Sequence, residues 1–238
     1  MEVRSVRAQT ESIPSPTLTA ERRAEQALPR QAVAFDPARF DKYVGYYQLG
    51  PASVFTITRD GEHFLTRLTG QVSVEVLPES ETKFFATVVH AQLSFEANAQ
   101  GDVTGLVLHQ NGLEQSAPRI SESEARDIEA AFAQHVKDNK PSPGTERALR
   151  REIDAEMKGQ PDYSDMMPGL AAATLEQWPL AQRLLSNLGE LKSVTFKGVG
   201  PGGADIYEVA FEEAPTEWRI QPLSSDGKIW SLFWRRLP

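Results

Sequence analysis

The stretch SVFTITRDGEHFLTRL, residues 53–68, decides the fold of the first half of the chain. In it, Phe55 and Ile57 alternate with threonines, which is the period of a strand with one apolar and one polar face. The pair Asp60-Gly61 follows, and this dipeptide favours a two-residue turn between antiparallel strands. The stretch therefore predicts a β-hairpin.

The same alternation extends in both directions, from Phe40 to Ile120, with turn residues at short intervals. It predicts eight strands: Tyr43–Leu49, Ser53–Arg59, His63–Leu68, Val72–Leu77, Lys83–Val88, Ala91–Ala97, Val103–Leu108 and Leu113–Arg119. Eight antiparallel strands in up-and-down order close into a barrel that holds packed side chains or one small ligand. A sandwich is the alternative.

If the barrel contains a ligand pocket, four apolar side chains of its dry face are the candidates for its lining: Phe55, Ile57, Phe64 and Phe95. The simpler interpretation makes the same four residues part of a packed core, because apolar residues on one face of a strand usually serve that purpose.

The flanks of the barrel have a different character. Residues 1–34 are polar and interrupted by prolines, which predicts a flexible tail. After the last strand, Ser121 and Glu124 form a capping-box pattern that begins a helix. We therefore predict a barrel domain with a terminal helix over residues 35–139, followed by a proline-rich linker over residues 140–145.

Residues 146–238 predict a second domain of the α+β class. Leu149, Ile153 and Met157 recur at helical spacing, and a second helical region follows from Leu170 to Leu188. The period then returns to two, so the order is helix, helix, antiparallel sheet.

The aromatic residues near the end of the chain have two interpretations. Trp218 and Arg219 are candidates for a ligand cleft, with an aromatic wall and an arginine that holds an anion. The alternative is a core tryptophan beside a solvated arginine.

Two strings match catalytic or cofactor motifs, but their context is wrong. Gly198–Gly203 fits G-x-G-x-x-G, yet a strand pattern follows it where dinucleotide binding requires a helix, so we interpret it as a hairpin turn. Ser80–Lys83 fits S-x-x-K, yet it leads into a strand, where Ser80 and Lys83 would point to opposite faces. We expect no catalytic residue in either string.

Composition excludes several kinds of site. A formal net charge of −8 disfavours nucleic acids as partners, and the absence of cysteine excludes thiolate chemistry. The four histidines lack metal-ligand spacing, so we expect neither metal nor cofactor. No apolar run is long enough to span a bilayer. Residues 1–30 lack the apolar core of a signal peptide, so the sequence as given predicts a cytoplasmic chain.

Several strings of the barrel segment resemble one family: Tyr43–Tyr47, Phe55–Gly61, Leu68–Gln71, Pro78–Ser80 and Gly105–Gly112. They look like the lipocalin-like C-terminal appendage of bacterial serine hydrolases of the β-lactamase and penicillin-binding-protein class. Ser193–Gly200 and Tyr207–Phe211 resemble a companion domain whose fold would be cystatin-like or nuclear-transport-factor-2-like. Relatives of this kind are typically exported to the periplasm.

This resemblance implies a non-catalytic accessory protein that binds a small apolar ligand, a peptide or a serine hydrolase, because the hydrolase motifs have no counterpart in the chain. Two alternatives remain open. The α+β domain could be a small enzyme that uses Asp205, Tyr207 or Glu217 for acid–base chemistry, or the chain could be a truncated hydrolase.

Overall fold

The computed structural model describes residues 16–238, which divide between two compact units. One unit is Thr17–Phe132, and the other contains Ala133–Pro238. The first fifteen residues of the predicted tail lie outside the described residues. Its remainder begins with helix α1, Pro16–Gln26, and continues as a segment without regular secondary structure.

The first unit contains a closed barrel of eight antiparallel strands, as the alternation predicted. Their bounds are β1 Gly45–Gly50, β2 Ser53–Asp60, β3 His63–Leu68, β4 Val74–Pro78, β5 Lys83–Ala86, β6 Ala91–Ala97, β7 Val103–Gln110 and β8 Leu113–Ile120. Each strand pairs with its neighbour in the chain, and β1 pairs with β8 through Tyr46↔Ile120 and Tyr47↔Arg119. The last pairing removes both sheet edges.

A short 3-10 helix, Pro37–Tyr43, supplies part of the barrel core. Its Phe40 and Tyr43 are buried, and they stack on Phe64 and Phe95 with ring centroids 4.2 and 4.3 Å apart. Aromatic pairs at this separation add to the free energy that burial alone contributes. The periodicity of the strands did not predict this helix, because its rings come from outside the sheet.

The fourth strand begins two residues later than the alternation predicted. Val72 precedes β4 and is 81% exposed, whereas Val76 on the same predicted face is buried. The turn that includes Gly70, whose φ is 75°, takes up the residues before β4. The alternation of apolar residues extends past the start of the strand into this turn, so the sequence pattern alone placed the beginning of β4 too early.

Helix α1 contacts the turn between β7 and β8. The Gln26 amide accepts a hydrogen bond from the Gly112 N–H and donates one to the Leu113 carbonyl, and Arg22 forms an ion pair with Glu114. Gly112 has a φ of 80°, and a Cβ there would lie 2.2 Å from the Thr19 carbonyl oxygen. The helix can therefore approach this turn only because residue 112 is a glycine.

The predicted capping box is confirmed at the start of helix α2, Glu122–Asp138. The Ser121 N–H and hydroxyl donate to the Glu124 carboxylate, and the Glu124 N–H donates to the Ser121 hydroxyl. Further along α2, Glu129 accepts a hydrogen bond from Arg67 of β3. This pair fixes the helix to the outer surface of the barrel.

The second unit is α+β, as predicted. Helices α3, Thr145–Met157, and α4, Pro168–Ser186, precede a four-stranded antiparallel sheet. The strands are β9 Leu191–Val199, β10 Asp205–Phe211, β11 Pro215–Ile220 and β12 Leu232–Arg236. They lie in the order β12-β11-β10-β9. Gly198–Gly203 lies at the β9–β10 hairpin, which confirms the turn interpretation of the glycine motif.

The Ser80–Lys83 string of the barrel unit also lies in a turn. The Ser80 hydroxyl accepts hydrogen bonds from the Thr82 and Lys83 N–H groups.

The core of the second unit lies between its helices and one face of its sheet. Leu149 and Ile153 of α3 and Leu185 of α4 pack there against Trp218, all at most 1% exposed. Trp218 also stacks on Trp234 with ring centroids 5.5 Å apart. All four tryptophans of the chain belong to this unit: Trp178, Trp218, Trp230 and Trp234.

No helix within residues 16–238 has the length and hydropathy needed to cross a membrane.

We predict that Phe40→Ala destabilises the barrel by about 3–5 kcal/mol, because the truncation leaves a cavity among packed aromatic rings. Val72→Ala serves as the control, since its exposed side chain should change stability by less than about 0.5 kcal/mol. Urea unfolding followed by far-UV circular dichroism measures both free energies. Equal effects of the two substitutions would contradict the role given to Phe40.

Candidate functional site

The candidate site is a cavity of about 410 Å³ between helix α4 and strand β12 in the α+β unit. This volume lies in the range of small-ligand pockets. Most of the wall is apolar, and its larger aliphatic and aromatic members are Leu170, Leu180, Leu184, Leu188, Leu232, Phe233 and Trp234. The cavity can therefore remove the apolar part of a ligand from water.

Helix α4 exposes apolar side chains at this cavity. Leu180 and Leu184 are 56% and 49% exposed, and they lie one turn apart on the helix. The helix has other apolar side chains in the core, such as Ala171 and Leu185. When a helix is apolar outside its core face as well, the exposed apolar surface is often a site that a ligand or partner covers.

Among the described residues, strand β12 forms a free edge of the sheet, and this edge borders the same cavity. The Leu237 N–H donates to the Pro215 carbonyl, and the Gln221 N–H donates to the Ser231 carbonyl. The backbone N–H and C=O groups of odd-numbered residues along β12 therefore point towards β11. By alternation, the backbone N–H and C=O groups of Leu232, Trp234 and Arg236 point away from β11. These three residues also line the cavity.

Two buried carboxyl groups on helix α3 adjoin this region. Glu152 and Glu156 are only 2% and 6% exposed, and Glu156 lines the cavity. Glu152 Oε1 and Glu156 Oε2 are buried and have no hydrogen-bond partner within the described part of the chain. An unpartnered polar atom in a protein interior costs free energy, so both carboxyl groups lie in an unfavourable environment. Of the two residues, Glu156 is the one that borders the cavity.

Burial changes the protonation of both groups. Desolvation first, and then the neighbouring carboxylates of Glu156, Asp162 and Asp165, together raise the pKa of Glu152 to about 8, while Arg151 opposes the shift. Desolvation alone raises the pKa of Glu156 to about 7. Near neutral pH, Glu156 is therefore divided between its neutral and ionised forms.

The polar rim of the cavity comes from the end of β12. Arg235 forms an ion pair with Glu217, and Arg219 pairs with the same carboxylate. The hydrogen bond from Arg235 and then that from Arg219 lower the pKa of Glu217, although burial opposes them. Glu217 is thus an ionised partner of two arginines rather than a proton donor.

A second polar cluster in this unit is built around Asp205, which is fully buried. Its carboxylate accepts hydrogen bonds from the Ser142 N–H at 2.7 Å and the Thr145 hydroxyl at 2.5 Å. The Thr145 hydroxyl also lies 3.1 Å from the Tyr207 hydroxyl. The cluster therefore joins the start of α3 to β10.

His135 gives this cluster the composition of a catalytic triad but not its geometry. Its Nε2 lies 3.0 Å from Asp205 Oδ1, without hydrogen-bond alignment, and 3.3 Å from the Ser142 hydroxyl. In a triad, serine and aspartate use opposite nitrogens of the imidazole. Here both lie at the same nitrogen, so the histidine cannot pass a proton between them.

The structure places the six predicted ligand residues in two separate units. Phe55, Ile57, Phe64 and Phe95 all lie in the barrel core, each at most 6% exposed. Trp218 is fully buried in the other core, and Arg219 is exposed beside Glu217. The ligand role of these six residues stays a prediction.

The three acid–base candidates from the sequence are not brought to one place. Asp205 and Tyr207 are buried on the core face of β10, whereas Glu217 pairs with arginines on the other face of the sheet. Within residues 16–238, no group of three or more histidine, aspartate or glutamate side chains could hold a metal ion.

Sequence reasoning missed Glu152 and Glu156. Helix α3 buries Ala148, Leu149, Glu152, Ile153 and Glu156, and this spacing is that of one helix face. The two glutamates thus occupy core positions of a stripe whose apolar members were recognised. The signal in the sequence that could have identified them is the helical spacing of these two carboxyl groups from the apolar core residues.

Comparisons with known proteins concern the barrel. Residues 29–127 match the family described as Domain of unknown function (DUF3471), which occurs in proteins related to β-lactamases and penicillin-binding proteins. Penicillin-binding protein 4* of Bacillus subtilis (strain 168) is 27% identical over 95 residues, which are 40% of this chain and 21% of that protein. The match thus spans about a fifth of the relative's length, and the cavity residues lie outside residues 29–127.

We predict that the stability of the protein falls as the pH rises from about 5.5 to about 9. The raised pKa of Glu152 means that the folded state holds a proton that the unfolded state has released above its ordinary pKa of 4.5. The stabilising contribution is therefore complete at low pH and lost as the pH passes about 8.

Glu152→Gln removes this titration and should stabilise the protein at pH 9, relative to pH 5.5, by roughly 2–4 kcal/mol. Glu146→Gln, at an exposed position of the same helix, is the control and should leave the pH profile unchanged. Thermal unfolding at a series of pH values measures the difference. Parallel profiles for wild type and Glu152→Gln would contradict the assignment.

Proposed function

We propose that this protein is a non-catalytic binding protein, related through its barrel to the accessory domains of β-lactamase-class serine hydrolases, and that its α+β unit holds the ligand. The observation that carries the proposal is the apolar cavity of about 410 Å³ with the buried carboxyl of Glu156 in its wall. An apolar enclosure with a few polar groups is the usual form of a small-ligand site.

The barrel supports an accessory role in this proposal. We assign it a lipocalin-like fold, on the grounds of its eight up-and-down strands and the match of residues 29–127. Its interior contains the stacked pairs Phe40–Phe64 and Tyr43–Phe95, so the proposal gives the barrel a structural role or a contact surface. A serine hydrolase is the partner class that the barrel's relatives favour.

For the α+β unit we propose a cystatin-like arrangement, with helices packed on one face of a four-stranded antiparallel sheet. The cavity then lies at the edge of the sheet rather than in its centre. The misaligned His135, Ser142 and Asp205 cluster supports a binding role over nucleophilic catalysis.

A second candidate function is acid–base catalysis in the same cavity. One observation favours it, namely that burial raises the pKa of Glu156 to about 7, which suits a group that both donates and accepts protons near neutral pH. A single carboxyl without an aligned partner is a weaker basis for an enzyme than for a binding site.

We predict that the neutral fluorescent probe 1-aminoanthracene binds the cavity of the wild-type protein and that Ala181→Trp weakens binding at least about tenfold, or ~1.4 kcal/mol. Ala181 lines the cavity, so an indole at this position occupies the space that the probe needs. Fluorescence titration gives the dissociation constants.

Gln182→Trp is the matched control, because residue 182 is exposed on the same helix and does not line the cavity. It should bind the probe as the wild type does. No binding to the wild type, or equal loss in both variants, would refute the binding function. Hydrolysis of a chromogenic β-lactam or ester by the pure protein, abolished by Glu156→Gln, would favour the enzyme instead.

A further inference from the structure

The free edge of β12 and the cavity beside it form one surface. The backbone groups of Leu232, Trp234 and Arg236 that point away from β11 provide donors and acceptors at the spacing of a strand. Exposed edges of this kind pair readily with another extended chain. Here the edge is accompanied by an apolar wall, which a paired strand would cover with its own side chains.

The apolar wall favours an occupant with alternating side chains. Leu180 and Leu184 of α4 stand beside the edge and are about half exposed. A strand added to β12 would direct every second side chain towards this helix and the others towards solvent. One or two aliphatic side chains would fill the space that these leucines border.

The carboxyl of Glu156 specifies a positive charge. Its Oε2 is buried and has no hydrogen-bond partner among the described residues, and the residue as a whole is only 6% exposed. A lysine ammonium placed beside it would supply a charge-assisted hydrogen bond and stabilise the carboxylate that burial disfavours. The formal net charge of −8 also favours a basic partner.

The rim of the cavity also carries two arginines, Arg235 and Arg236. Arg235 shares the carboxylate of Glu217 with Arg219, which offsets part of its positive charge. Arg236 is exposed at the end of the strand, where water and salt screen it.

We propose that the β12 edge binds an extended peptide as a fifth strand, with aliphatic side chains against Leu180 and Leu184 and a lysine on Glu156. This inference rests on the proposed binding function and names its ligand class. A small cationic amphiphile would use the cavity and the carboxyl but would leave the backbone edge unpaired, whereas a peptide strand uses all three features.

The test uses an acetylated, amidated and fluorescently labelled peptide in which lysine, valine and valine alternate with threonine. Its binding to the full chain is followed by fluorescence anisotropy. Replacing the lysine of the peptide by glutamine should weaken binding at least about tenfold, because a charged pair is lost. Glu156→Gln should weaken the lysine peptide to a similar extent and leave the glutamine peptide within about twofold.

Use of the backbone edge is tested separately with Arg236→Pro. Proline removes the N–H that points away from β11 and is tolerated on edge strands. Arg236→Ala is the matched control, because it removes the same side chain but keeps the N–H. We expect the proline variant to bind the peptide at least about fivefold more weakly than the alanine variant, with thermal unfolding showing that both remain folded.

The outcomes separate this inference from the function on which it rests. If 1-aminoanthracene binds the cavity but the peptide does not, the binding function stands and the peptide inference is wrong. Equal peptide affinities of Arg236→Pro and Arg236→Ala, or indifference to the Lys–Glu156 pair, would also overturn the inference. If neither probe binds, both proposals fail.

Discussion

The packing of an amphipathic helix against a sheet is the constraint on which the candidate site depends. Whatever occupies the inner face of α3 must be buried, and Leu149 and Ile153 on that face bind the helix to the core. Glu152 and Glu156 share the face and are buried with them. Their raised pKa values are therefore a consequence of packing, maintained by the apolar contacts of their neighbours. The free energy that these contacts supply keeps two carboxyl groups in an unfavourable environment.

The two units differ in the edges of their sheets, because one sheet is closed and the other is open. The barrel closes through the pairing of β1 with β8, and its interior contains rings from both the strands and the preceding 3-10 helix. The four-stranded sheet stays open, and its β12 edge lies beside an apolar helix surface. The relationship to penicillin-binding proteins concerns the closed unit, whereas the features that suit a ligand belong to the open one.

Local signals predicted most of the fold. The alternation around Phe55 and the Asp60-Gly61 turn involve residues close in sequence, so the hairpins and the barrel followed from them. The stacking of Phe40 on Phe64 and the contact of α1 with Gly112 join distant parts of the chain, and no local pattern encodes them. The cavity was missed for the same reason, because it arises where α4 meets β12. The burial of Glu152 and Glu156 is encoded locally, because both lie at helical spacing from the apolar residues Leu149 and Ile153.

The distribution of tryptophan has a spectroscopic consequence. Because all four indoles lie in the α+β unit, intrinsic emission excited near the red edge of the absorption, where tyrosine does not absorb, comes from that unit. Trp234 lines the cavity and stacks on Trp218. The emission wavelength of the unmodified chain thus reports on the surroundings of the cavity without an attached dye, while the barrel remains silent in the same spectrum.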